Sequence, residues 1–323
     1  MLYYFHHTNR RNMKKKLLSF VIPVYNEEDN INELLNELTS FMNRHTKYDF
    51  EAVIVENGSN DASYELLIKQ AKKDLRIKIL QLSRNFTAEG GIAAGIYFVK
   101  GDALIIMMAD LQEPVEILDK FIEKWEEGYE IVYGIIKKRT AGVFRNFSSV
   151  LFYKILNKLT NNMFPENASD FRLIDKKIYL AINSMNEHNK YLRGLIAWTG
   201  FHQIGIPFDR KNRFAGKSKA HFLSVLDTAL NGIFSFSYLP LRLVTFLGLI
   251  ITILSFLLII YYFILFLIYG RIVPGITTLI LIMLFMFGLL FFSLGIISEY
   301  LLRIYNEVKR RPNFIVKNKV NLV

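Results

Sequence analysis

Leu17-Leu18-Ser19-Phe20-Val21-Ile22-Pro23-Val24 is a short apolar run with proline near its end, and it reads as a buried strand. From Asn26 through Asn43, apolar residues then recur at helical spacing, with Ile31, Leu34, Leu35, Leu38 and Phe41 on one face. The same alternation continues along the chain. Strands are expected at 50–55, 76–82, 103–108 and 130–136, and helices at 62–73, 89–99 and 115–127. Strand-helix alternation at this spacing predicts an α/β domain built on a mostly parallel, Rossmann-like sheet with helices on both faces. Ligands of such sheets bind beyond the carboxyl ends of the strands.

Three polar clusters occupy those ends: Tyr25-Asn26-Glu27-Glu28, Glu56-Asn57-Gly58-Ser59-Asn60-Asp61 and Ala109-Asp110-Leu111-Gln112-Glu113. The plainer alternatives are Asn26 as a helix N-cap and Asn57-Gly58 as an ordinary turn. Three clusters on one rim favour a ligand site. In the third, a carboxylate and an amide oxygen two residues apart can share one hard divalent cation, which typically bridges substrate phosphates. No Walker A loop occurs, and Gly90-Gly91 lies within a helix rather than opening one.

The chain has 323 residues, 52% of them hydrophobic and 14% aromatic, which excludes a disordered chain. It has no cysteine, which excludes disulfide scaffolds, thiolate metal sites and cysteine nucleophiles. No charged residue occurs from Leu243 to Gly270 or from Ile272 to Ser298. Each run exceeds the roughly 20 apolar residues that span a bilayer. The short link around Gly270-Arg271 predicts an antiparallel hairpin. The N-terminus is too polar for a signal peptide. The basic residues after the second run place the C-terminus in the cytoplasm by the positive-inside rule, and two spans then place the N-terminal domain there too. The expected organisation is a basic tail at 1–16, a cytoplasmic domain at 17–220, a juxtamembrane interfacial helix at 221–242, spans at 243–270 and 272–298, and a basic tail at 299–323. A second interfacial helix is expected at about 144–160, where Phe147, Val150, Leu151, Lys154, Ile155 and Lys158 fall at helical spacings.

The net charge of +11 is unevenly placed. Residues 17–130 hold 11 basic and 21 acidic side chains, and residues 131–242 hold 17 basic and 6 acidic. The positive half adjoins the segments expected to meet the membrane, where each basic residue contributes about 1 kcal/mol against anionic lipid. This placement, and the lack of a recognition motif, argue against a nucleic-acid partner.

Ser19-Phe20-Val21-Ile22-Pro23-Val24-Tyr25-Asn26-Glu27-Glu28 resembles the opening strand of family 2 glycosyltransferases. Ser83-Arg84-Asn85-Phe86, Met108-Ala109-Asp110-Leu111-Gln112-Glu113-Pro114 and Ser169-Asp170-Phe171-Arg172-Leu173 follow in the family's order. So do Tyr191-Leu192-Arg193-Gly194-Leu195 and Arg213-Phe214-Ala215-Gly216-Lys217-Ser218-Lys219. The last three motifs and the paired spans resemble the polyprenyl-phosphate subgroup, which includes dolichol-phosphate mannose synthase and the GtrB-type enzymes.

The resemblance implies a GT-A fold and inverting transfer of one sugar from a nucleotide-sugar, expected to be a UDP-hexose, to undecaprenyl phosphate in a bacterial cytoplasmic membrane. The product would serve cell-envelope glycan modification. By the same resemblance Pro23, Tyr25, Asn26, Glu27, Glu56, Gly58, Ser59, Arg84 and Asn85 line the donor site. Asp110 and Gln112 hold Mg2+ or Mn2+ against the donor diphosphate. Asp170 and Arg172 lie near the reacting centre, with Asp170 as base or, alternatively, as the group that orients Arg172 or a nearby loop. Arg145 and Ser149 hold the acceptor phosphate, and Arg139, Arg213 and Lys219 add positive charge. Homo-oligomers through the spans are expected by the same analogy.

The chain departs from the family pattern in three places. Met108 replaces the first Asp of Asp-Ala-Asp, Glu56-Asn57 replaces Asp-Asp, and Thr87-Ala88 replaces Gly-Lys. Alternative readings are a processive polysaccharide synthase, against which no Gln-x-x-Arg-Trp motif occurs, and a degenerate membrane-bound scaffold subunit.

Overall fold

The computed structural model describes residues 15–137, 168–185, 187, 191–212, 214, 234, 237–270 and 275–322. The first half alternates as expected: β1 (Leu17–Val24), α1 (Glu28–Arg44), β2 (Asp49–Glu56), α2 (Ser63–Ala71), β3 (Ile77–Leu82), α3 (Thr87–Phe98), β4 (Ala103–Ile106), α4 (Ile117–Glu126) and β5 (Ile131–Ile136). Then come β6 (Ala168–Asp175), α5 (Lys176–Ser184), α6 (Leu192–Trp198) and β7 (Gln203–Phe208). Two long helices, α7 (Leu239–Tyr269) and α8 (Ile276–Lys309), precede β8 (Val316–Val320).

The strands form one sheet in the order β7-β5-β6-β4-β1-β2-β3-β8. Pairings β1–β2, β1–β4, β2–β3 and β5–β7 are parallel, and β4–β6, β5–β6 and β3–β8 are antiparallel. The central strands are buried on both faces, which is why they read as continuous apolar runs. Phe20, Ile22 and Ile54 face a layer made by α1, α2 and α4. Val21, Val53 and Val55 face α3, α5 and α6. α1 buries Ile31, Leu34, Leu35, Leu38 and Phe41, as its apolar spacing predicts. Gly95 lets α3 approach the sheet, because a Cβ there would lie 2.4 Å from a methyl of Val21.

β6 is inserted antiparallel between β4 and β5, which strand-helix alternation alone does not predict. One expectation is corrected: the basic tail expected at 299–323 is largely regular structure. α8 continues through Glu299, Arg303 and Glu307 to Lys309, and Val316–Val320 pairs with β3. Opposite charges four apart support the helix past the apolar run, and the unpaired edge of β3 is a template for a further strand.

The expected spans at 243–270 and 272–298 correspond to α7, which starts earlier at Leu239, and α8, which starts at Ile276 and runs on to Lys309; residues 271–274 lie outside the described residues. Both helices are long and apolar enough to cross a bilayer, and their apolar windows are unburied, with Leu284 64% and Phe291 69% exposed. They are therefore not core helices of a soluble domain, and they fit a membrane-associated protein. The expected interfacial helix at about 144–160, and most of that at 221–242, lie outside the described residues.

Candidate active site

The three polar clusters converge on the carboxyl end of the sheet. The turn after β1 places Asn26 in the left-handed region (φ 52°), which asparagine tolerates better than most residues. Asn26 does not cap α1. Its N–H donates to Ser59 Oγ at 3.0 Å, and its Oδ1 accepts from the Asn60 N–H at 2.8 Å. The Glu27 N–H donates to Ser63 Oγ at 3.0 Å. The first and second clusters thus form one hydrogen-bonded wall. Pro23 lies in β1 opposite Val55, and Tyr25 follows at the strand's end.

Asn57-Gly58 is more than an ordinary turn. Buried Asn57 donates to the Thr87 carbonyl at 2.7 Å and accepts from the Phe86 N–H at 2.9 Å, which joins the second cluster to the Arg84-Asn85 loop. Gly58 has φ 72°, and a Cβ there would lie 2.6 Å from the Arg84 carbonyl carbon. Only glycine fits both the conformation and the contact. Arg84 is exposed and lies over the Phe86 ring at 4.1 Å. Glu56 is fully buried. Its Oε1 accepts from the Ser59 N–H, and its Oε2 has no hydrogen-bond partner among the described residues. An unpaired buried acceptor of this kind costs about 1–3 kcal/mol, so the position favours a donor supplied from the cleft.

The third cluster meets β6. Antiparallel pairing sets Arg172 opposite Ile106, so Asp170 and Arg172 join Asp110 on the same rim. Arg193 from α6 grips Asp170 through Nε and Nη2. For the alternative in which Asp170 orients Arg172 or a nearby loop, the direct hydrogen bonds are to Arg193, while Arg172 interacts with Asp170 by charge and donates to the Ser169 carbonyl at 2.8 Å. Burial alone would push the Asp170 carboxyl up. The guanidinium of Arg193, aided by Arg172 and Arg210, outweighs it and holds Asp170 below the usual carboxylate range. Burial pulls Arg172 down from the usual arginine value.

Two carboxylates without an assigned role complete the cluster. Glu113 accepts from the Met108 N–H at 2.9 Å, and burial together with Asp170 and Asp110 pushes it up to about 8. Glu89 on α3 is pushed up to about 7 by burial and by Asp170.

Asp110 accepts from the Gln112 N–H at 3.3 Å and lies 4.0 Å from Arg210. Gln112 Nε2 donates to the Lys211 carbonyl at 3.2 Å, which fixes the end of the amide that presents oxygen. Among the described residues no three Asp, Glu or His groups form a metal cage. One carboxylate and one amide oxygen fit a hard divalent cation whose shell is completed by substrate phosphates. Such a cation would also offset the excess negative charge of this rim.

The structure therefore brings together Tyr25, Asn26, Glu27, Glu56, Gly58, Ser59, Arg84, Asn85, Asp110, Gln112, Asp170 and Arg172, with Pro23 beneath. Arg139, Arg145, Ser149, Arg213 and Lys219 lie outside the described residues. Glu89, Arg193 and Arg210 escaped sequence reasoning. Arg193 lay in a recognisable motif, whereas Glu89 and Arg210 carry no local signal.

A Rossmann-like sheet with this polar rim, followed by two membrane-length helices, defines a membrane-associated α/β protein with a candidate ligand site at the carboxyl end of its sheet. The description "Glycosyl transferase family 2" matches residues 19–182, and the chain belongs to that family. An uncharacterized glycosyltransferase of Synechocystis sp. is 40% identical over 93% of this chain and 95% of its own length. The bactoprenol glucosyl transferase of Shigella phage SfV is 34% identical over 94% of this chain and 98% of its own. Among solved structures, glucosyl-3-phosphoglycerate synthase of Mycobacterium tuberculosis in complex with Mn2+ and UDP-glucose is 14% identical, covering 66% of this chain and 76% of that one, with a TM-score of 0.44.

Proposed function

We propose that this enzyme transfers a single sugar, with inversion, from a UDP-hexose to undecaprenyl phosphate at the cytoplasmic face of a bacterial membrane. The observation that carries the reading is similarity to a bactoprenol glucosyl transferase over 94% of the chain, membrane-length helices included. The topology supports one shared membrane side for the catalytic sheet and the C-terminal strand, and the basic residues after the second span favour the cytoplasmic one. β8 lies in the same sheet as β1 to β7, so the chain must return to the side it left, and two crossings accomplish that.

In this reading the wall of Asn26, Glu27, Glu56 and Ser59 receives the nucleoside, with Glu56 Oε2 as an acceptor for its hydroxyl or amide groups. Asp110 and Gln112 would hold Mg2+ or Mn2+, which when bound neutralises charge on the departing diphosphate. The acceptor is a phosphate monoester, ionised at neutral pH, so it needs positioning and partial neutralisation rather than a strong base. Arg139, Arg145, Ser149, Arg213 and Lys219 are proposed to hold it. A phosphate oxygen attacks the anomeric carbon as the bond to the nucleoside diphosphate breaks. Asp170, kept ionised by Arg193, faces positive charge developing at that carbon.

The test is to incubate membranes with a panel of labelled nucleotide-sugars and polyprenyl phosphate and then extract the lipid. One labelled sugar per lipid is expected, and Asp110→Ala should reduce its formation by about 10²–10³-fold. A polymeric product, or no transfer from any donor, would overturn the reading.

A further inference from the structure

The membrane hairpin is joined to the catalytic sheet by continuous structure. α8 outlasts the apolar run by the residues from Glu299 to Lys309. At 1.5 Å per residue this adds a helical arm of about 16 Å beyond the hydrocarbon core. The arm is braced at its base, where Tyr300 Oη donates to the Ser237 carbonyl at 2.8 Å and stacks edge-on against Phe234. It stops at Arg310, which takes the left-handed conformation (φ 48°) that closes helices.

A few residues later the chain is locked to the domain. Asn313 Nδ2 donates to the Glu187 carbonyl at 3.1 Å. Phe314 packs edge-on against Tyr97 and Phe98 of α3, at 6.0 and 6.5 Å between centroids. The Ile315 carbonyl accepts from the Ser83 N–H at 2.9 Å, the residue before the Arg84-Asn85 loop. Asn318 donates to Gln81 Oε1 at 2.6 Å, and Asn321 donates to the Ala71 and Ile77 carbonyls at 2.8 and 2.9 Å.

We infer that residues 299–321 are a strut-and-strand tether that holds the catalytic domain at a fixed height over the bilayer, with β8 braced behind the Arg84-Asn85 loop. The inference rests on the proposed function only in supposing that the rim must reach a lipid phosphate. A strand that merely capped the edge of β3 would need no rigid arm leading to it.

The chain lacks cysteine, so Leu75→Cys, at an exposed position (76%), accepts a single spin label. The full chain in lipid nanodiscs is compared with the same chain carrying a six-residue Gly-Ser insertion between Arg311 and Pro312. The insertion separates the arm from the strand but leaves β8 free to dock. The readout is the distance distribution from the label to spin-labelled lipid headgroups. A narrow distribution is expected for the uninterrupted chain. The insertion should broaden it by roughly 13 Å, the span of such a linker. Transfer to bilayer-embedded polyprenyl phosphate should fall about tenfold, with UDP affinity, thermal unfolding and transfer to a detergent-dispersed short-chain acceptor unchanged. An unchanged distance distribution, or equal loss on both acceptors, would overturn the tether. If the uninterrupted enzyme transfers to neither acceptor, the functional reading fails, and the distances still decide the tether.

Discussion

β2 carries two buried glutamates, one at each end, and the protein treats them in opposite ways. Glu51, at the amino end, accepts from Ser19 Oγ at 2.5 Å, Lys78 Nζ at 2.5 Å and the Lys100 N–H at 2.7 Å. Burial alone would raise its carboxyl, but these donors outweigh burial and hold it below the usual range. Glu56, at the carboxyl end, leaves Oε2 without a partner among the described residues. Beyond the same end of the sheet, Glu113 and Glu89 are pushed up to about 8 and about 7. A charge satisfied on every side serves the fold. Buried polar groups in native proteins are nearly always paired, so one left open marks a place where something else supplies the partner.

The largest expected effect tests whether the carboxyl end is the chemical end. Asp110→Ala should reduce turnover by about 10²–10³-fold, measured as initial rate of lipid-linked product, with the unfolding temperature preserved. Near-normal turnover would remove Asp110 from the site.

Glu51→Ala should do the reverse. Stranding Lys78 should lower stability by roughly 3 kcal/mol, read by chemical or thermal unfolding, with the donor KM unchanged. The pH dependence has a definite sign. The folded carboxyl lies below its unfolded value, so its stabilising contribution is fully present above the unfolded value. It is lost as pH falls through the folded one. The gap between wild type and variant should therefore close in acid.

Arg193→Gln removes the cation that keeps Asp170 ionised. The Asp170 carboxyl should rise, moving the acid limb of the kcat profile to higher pH, with a loss of about tenfold at neutral pH. An unmoved limb would show that Asp170 matters through geometry alone. The smallest effect is expected from Glu56→Gln, which should raise the donor KM by about tenfold while leaving stability equal or higher. A loss of stability without a change in KM would make Glu56 a second Glu51 and dissolve the comparison.

The legible and illegible parts of the site divide the same way. Asn26, Glu56, Asp110 and Gln112 each follow a strand readable from its own apolar run, so sequence order alone assigns them to one rim. Glu89 sits mid-pattern in a small-residue helix, and Arg210 follows an edge strand with no motif of its own. Both reach the rim only through packing. Arg193 stood in a recognisable motif, but its partner, Asp170, lies 23 positions away.

The sequence by itself determined the parallel half of the sheet, the two membrane-length helices and the residues that gather at the strand ends. These follow from periodicities and stop signals expressed within a few residues. Only the tertiary structure decided that β6 enters antiparallel between β4 and β5, that Arg193 rather than Arg172 grips Asp170, and that the C-terminal segment returns as β8. Strand pairing joins residues as distant as Gln81 and Asn318, 237 positions apart. Such a contact depends on which edges and faces remain open once the local elements have packed, and no local pattern records that.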